Sequence, residues 1–244
     1  MKKTAFLYLF VALILSSVMG CSESVRPVES THSQEPARAE GDSTVYGITA
    51  EGTNDSILVF LTLPYNGADP DTVSIFEARR NRQFYGWPDT GDAVAVLRSA
   101  EDSTKAGHVI MIQDLLGKWC YEVYPTLRRT TLNDSMLPQR LKDMLQVARE
   151  YSLMLKNDYS ALSMGSRSQA DDEQSPIVYP KARRYTQWHI FNGRLVFTET
   201  TRDSLDNRIA VGTDTADIVR LRRDTLMLQF ADSLHTYYRK AEEK

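Results

Sequence analysis

Cysteine is nearly absent: the 244 residues contain only Cys21 and Cys120. At most one disulfide is available, so the fold must rest on an apolar core. No apolar run reaches the roughly 20 residues of a membrane span; Ala5–Leu15 is too short. Basic blocks are missing too. With 29 Lys+Arg against 32 Asp+Glu the net charge is −3, which argues against nucleic acid or an anionic surface as partner. The four histidines, His32, His108, His189 and His235, are scattered, and none has metal-ligand spacing. There is no G-x-S-x-G and no phosphate-binding G-x-x-x-x-G-K-[ST]. The acidic clusters Asp69/Asp71 and Asp171–Glu173 lack the offsets and central glycine of a calcium loop. Neither an enzyme nor a metal or other cofactor is expected, because no nucleophile, base and orienting group can be assembled.

What is present begins at the N-terminus. Lys2 and Lys3 precede the apolar run, and small residues lead to Cys21, the layout of a secretory signal over 1–20. "VMGC" at Val18–Cys21 resembles the lipobox of bacterial envelope lipoproteins. The resemblance implies cleavage before Cys21, lipidation of its thiol and acylation of the new amino terminus. Several acyl chains on one residue anchor stably where one does not. Ser22 after the cysteine implies the outer membrane by the sorting rule of enteric bacteria. Cys120 is then alone. Residues 22–42 hold two prolines and no aromatic, leucine or isoleucine, which predicts a disordered tether.

The rest reads as mainly β, in two antiparallel modules. "TVYGITAEG", "SILVFLTLP", "DTVSIFEA", "DAVAVLRS" and "HVIMIQDLL" are β-branched runs separated by turn signals. They predict an OB-like barrel over 43–113. In 114–244, apolar residues at 137, 141, 144, 145, 148, 151 and 155 predict an inserted amphipathic helix over about 136–158, with Ser135 as N-cap. Residues 163–176 read as a flexible loop. "TQWHIFNGRLVFTET" predicts a hairpin turning at Asn192-Gly193. Trp188, Ile190, Leu195 and Phe197 then share an apolar face. "ADIVRLRRDTLMLQF" suggests another strand pair, with Ile218, Arg220 and Arg222 on one face, and "HTYYRK" a closing strand. Six or seven strands are countable in this half.

Gly117-Lys118-Trp119, with later hairpins in Arg-bearing strands, resembles the lipocalin-like domains of bacterial envelope lipoproteins. The resemblance covers about 115–240. It implies a barrel whose end Trp119 closes, with a late-strand arginine (Arg220, Arg222 or Arg223) packed across the indole. Surface-sensing envelope lipoproteins pair the two module types in the opposite order and carry a Cys-x-x-Cys, which is absent here. Cys120 alternates with Trp119 and reads as a small buried hydrophobe.

The expected function is non-enzymatic binding in the cell envelope. An apolar or amphipathic small molecule would sit in the C-terminal barrel, with Trp119, Trp188, Ile190, Leu195 and Phe197 lining or closing it. The alternative is an interaction or scaffolding lipoprotein with solid modules, touching protein or glycan through loops. "RRNRQFYGWPD" is the candidate surface, with Phe84, Tyr85 and Trp87 as its aromatics.

Overall fold

The computed structural model describes residues 40–128, 137–165 and 175–240. The signal, Cys21, the tether, Ser135 and the cluster Asp171–Glu173 lie outside the described residues. The first module contains β1 (Thr44–Thr49), β2 (Ile57–Thr62), β3 (Asp71–Ser74), α1 (Phe76–Arg80), β4 (Phe84–Tyr85), β5 (Ala93–Arg98) and β6 (Ala106–Met111). Its sheet order is β3-β2-β1-β5-β6-β4. A parallel bridge, Ser74 to Lys105, brings β3 beside the entrance of β6 and nearly closes the ring. This is the OB-like path, a meander, a helix and two returning strands.

Strands β5 and β6 are covered on both faces, which explains why their sequences are almost continuously apolar. Val94, Val96, Val109 and Met111 face the module's own core with Leu58 and Phe60. Ala95 and Ile110 face a second core shared with the other module. Gly47 in β1 has no room for a side chain: a Cβ would stand 2.5 Å from the Phe60 ring and 2.6 Å from Leu61 O.

The second module is an eight-stranded antiparallel barrel. Its strands are β7 (Gly117–Val123), β9 (Arg149–Leu155), β10 (Ala161–Met164), β12 (Gln187–Phe191), β13 (Arg194–Arg202), β14 (Arg208–Leu221), β15 (Thr225–Gln229) and β16 (Leu234–Arg239). Each pairs with its neighbour in the chain, and β16 returns to β7. Closure between β10 and β12 comes from Ala161 N to Thr186 O and Trp188 N to Tyr159 O, each 2.9 Å. The short strands β8 (Thr126–Leu127) and β11 (Ile177–Val178) form a separate pair. Helix α2 (Ile112–Leu115) links the modules, and α3 (Gln139–Leu145) lies between β8 and β9.

The Asn192-Gly193 hairpin has the expected register: Phe191 opposite Arg194, Ile190 opposite Leu195, Trp188 opposite Phe197. Both turn residues have positive φ, 47° and 77°.

Three local expectations are corrected. The helix over about 136–158 shrinks to α3, which buries none of its residues, and Arg149–Leu155 is a strand. Tyr151, Leu153 and Leu155 alternate as well as they fit a helical stripe, and the barrel needs a strand between β7 and β10. The predicted loop begins later, because Ser163 and Met164 finish β10. In β14 a bulge between Ile218 and Arg220 inserts one residue. Leu221 therefore takes the inward place, and Arg220, Arg222 and Arg223 are exposed.

Candidate functional site

Among the described residues, the barrel is sealed at one end and open at the other. At the sealed end Trp119 is fully buried, and its indole N–H donates to Leu115 O at 2.8 Å. The arginine across it is Arg239, from the last strand, with its guanidinium 4.3 Å from the ring centroid. This corrects the assignment to Arg220, Arg222 or Arg223. Arg239 also donates from Nη1 to Leu116 O at 2.9 Å and from Nη2 to Asp114 O at 2.7 Å. The glycine of Gly-x-Trp now has a physical reason. Gly117 has φ 113°, and a Cβ there would stand 3.0 Å from Arg239 Nη1. One arginine thus clamps the linker, the glycine and the tryptophan together.

The open end holds a cavity of about 870 Å³, within the roughly 300–1,000 Å³ typical of small-molecule sites. Its walls come from period-two alternation above the seal. Tyr121 follows Trp119 on β7, Tyr151 precedes Leu153 on β9, and His235 and Tyr237 precede Arg239 on β16. Seven rings form a chain: Tyr151 to Tyr121 at 5.7 Å, Tyr121 to Tyr237 at 5.0 Å, Tyr237 to His235 at 6.1 Å, His235 to Phe230 at 5.2 Å, Phe230 to Phe197 at 6.1 Å and Phe197 to Tyr185 at 4.9 Å. Most meet edge-to-face or tilted, the arrangements that the ring quadrupole favours.

Polar contacts hold this wall. Tyr185 donates to Asp214 Oδ2 at 2.8 Å, and Arg183 pairs with the other oxygen of Asp214. Burial pulls the Asp214 pKa up, but hydrogen bonds from Arg183 and Tyr185 outweigh this and keep it below the usual range. Tyr151 donates to Pro180 O at 2.7 Å. Ser233 Oγ lies 2.8 Å from His235 Nε2. Burial, then the nearby Arg183 charge, lowers the His235 pKa, so the imidazole is neutral at pH 7. Burial pushes the Tyr121 phenol up to about 12, with Tyr151 adding to it, and raises Tyr237 further. The cup therefore offers neutral phenols, a neutral imidazole and an internally paired Arg–Asp. It is equipped for stacking and hydrogen bonding.

The residues expected to line a ligand lie elsewhere. Trp119, Trp188, Ile190, Leu195 and Phe197 are at most 1% exposed and fill the sealed half as core. None lines the cavity. Phe197 reaches its wall through the Tyr185 and Phe230 rings. The hydrophobic criterion found the packed end. Tyr121, Tyr151, Tyr185, His235 and Tyr237 were missed, although "HTYYR" carries the alternation that places His235 and Tyr237 inward with Arg239.

In the first module Phe84 packs under Arg79, 4.2 Å from its guanidinium, and Tyr85 is buried. Trp87 is 62% exposed, its backbone N–H bonded to Asp114 Oδ2 at 2.6 Å. Cys120 is buried, and burial raises its thiol pKa. Among the described residues no group of His, Cys, Asp or Glu is placed to hold a metal ion, and no helix is long and apolar enough to cross a membrane. No protein-family model matches the chain, and no match is found among curated proteins or solved structures.

Proposed function

We propose that this chain is a lipid-anchored envelope protein that binds an amphipathic small molecule, without catalysis, in the mouth of its lipocalin-like barrel. The observation that carries the reading is the aromatic-walled cavity of about 870 Å³ at the barrel's open end. Gly117-x-Trp119 with Arg239 across the indole supports the lipocalin-like assignment. The lipobox at Val18–Cys21 supports anchoring through Cys21. Sorting by Ser22 favours the outer membrane.

Two experiments test the two halves of this reading. Native mass spectrometry of the chain from Ser22 onward, exported by a non-lipoprotein signal, should show an added mass that disappears on denaturation. A bare mass, together with failure of ring probes to bind, overturns the carrier. Cys21→Ser in the full chain should abolish lipid incorporation and release the protein from the membrane fraction. Unchanged membrane retention overturns the anchor.

The exposed Trp87 favours a second reading, contact with a protein or glycan through the turn after β4. Trp87→Ala should then lose a cross-linked partner while leaving the added mass in place.

A further inference from the structure

We infer that the cup takes an uncharged, ring-bearing ligand that enters with a hydrogen-bonding oxygen leading, and that the Tyr237 hydroxyl receives that oxygen. The inference rests on the proposed binding role and specifies its chemistry.

Three observations carry it. First, Tyr151 and Tyr237 are each 4% exposed, the most buried tyrosines of the cavity wall. Tyr151 spends its hydroxyl on Pro180 O. The Tyr237 hydroxyl has no hydrogen-bond partner among the described residues, and neither has that of Tyr121, whose ring lies 5.0 Å away. The Tyr237 ring is buried, but its hydroxyl is not among the fully enclosed atoms and opens onto the cup, so a ligand that displaces water from it must supply an oxygen in return.

Second, the two arginines of the cup are committed. Arg183 and Tyr185 both serve Asp214. Arg194 makes a two-point bond to Asp217, at 2.6 and 3.1 Å. Lys181, the remaining cation among the described lining residues, is exposed. A carboxylate or sulfonate carried down to Tyr237 would lose its hydration, while Lys181, the one described lining cation without a described partner, stays in solvent. A ketone, amide or hydroxyl oxygen pays far less.

Third, rings flank that of Tyr237: Tyr121 and His235 lie beside it, and Phe230 follows beyond His235. A planar or cyclic ligand stacks there as a flexible chain cannot.

The test uses the exported chain from Ser22 onward with two naphthalene probes of similar size. One is neutral 6-propionyl-2-(dimethylamino)naphthalene, whose ketone reports hydrogen bonding through its emission. The other is anionic 1-anilinonaphthalene-8-sulfonate. The ketone probe should bind saturably and at least tenfold more tightly than the sulfonate. Tyr237→Phe should weaken the ketone probe about tenfold and shift its bound emission to the blue. The variant's urea midpoint should stay at the wild-type value, because the lost hydroxyl bonds to no described residue. Equal ketone affinity in Tyr237→Phe, or tighter sulfonate binding, overturns the inference and leaves the binding role intact. No binding of either probe together with a bare native mass overturns both.

Discussion

Replacing Arg239 tests the sealed end most directly, because one side chain makes three separable contacts. Arg239→Ala removes a cation–π contact at 4.3 Å, of about 0.5–2 kcal/mol. It also removes two bonds from a charged donor to Leu116 O and Asp114 O, each about 1.5–3 kcal/mol. These gross terms are reduced by rehydration of the guanidinium and by water reaching the freed carbonyls. A net loss of about 3 kcal/mol is expected. Arg239→Lys keeps the charge but loses the planar fork, so it should fall between, at about 1–2 kcal/mol. Urea unfolding followed by far-UV circular dichroism measures both without relying on Trp119 as the reporter. A double-mutant cycle with Trp119→Phe should give a coupling of about 1 kcal/mol. A loss below about 1 kcal/mol for Arg239→Ala, or a coupling near zero, would refute the clamp.

Trp188→Ala should lower stability by about 3–5 kcal/mol but leave probe affinity per folded molecule unchanged, because Trp188 is core and does not line the cup; calorimetry and probe titration separate the two effects. Burial depresses the folded-state pKa of His108, His189 and His235, opposed at His108 by Asp217 and at His189 by Asp42, and reinforced at His235 by Arg183. Below about pH 6.5 the unfolded chain therefore takes up protons that the folded chain resists. Stability should be highest above that pH and fall beneath it, with a slope of at most about 1.4 kcal/mol per pH unit for each histidine. A urea midpoint at pH 5.5 equal to or above that at pH 7.5 contradicts this. Cys120 should not react with a thiol reagent in the folded chain and should react fully in urea, since it is buried with a raised pKa. Rapid modification under native conditions argues against that burial.

How much of this was legible in the sequence depends on which physical signal was local. The 187–198 hairpin was readable to single-residue register, because Asn-Gly fixes the turn and alternation fixes the faces. The five main strands of the first module were readable from β-branched runs. The segment 149–155 was not, since its apolar positions fit two periods and only the barrel decides between them. The arginine over Trp119 was misplaced for a different reason. Counting by twos along β14 fails at the bulge, and the true partner lies on a strand whose pairing with β7 spans over a hundred residues. The cup was missed because apolar character was used as its marker. Apolar side chains mark where a barrel is filled, whereas here Tyr, His and Ser mark where it stays open.

The two modules together account for why the barrel is sealed at the Trp119 end. The docking of the first module is concentrated at the barrel's sealed end. Tyr46 donates to Ile190 O at 2.9 Å. Asn192, at the tip of the hairpin, accepts from Ser43 N at 2.8 Å and gives its own N–H to Asp42 at 3.0 Å. A Cβ on Gly193 would stand 3.1 Å from the His108 ring, so the turn lies flat against β6. Tyr46, Ala95, Ile110 and Leu115 join Trp119, Trp188 and Leu195 in one cluster. The apolar outer face of the first module and the sealed end of the barrel therefore cover each other, and no described residue of the first module lines the cup. Along strands that alternate strictly, the same residues that fix Trp119 and Arg239 inward also fix Tyr121 and Tyr237 inward, one step nearer the mouth. The seal sets the phase of the strands, and the phase delivers the aromatic wall, so a change that loosens Arg239 should disturb that wall through strand register even though Arg239 does not line the cavity.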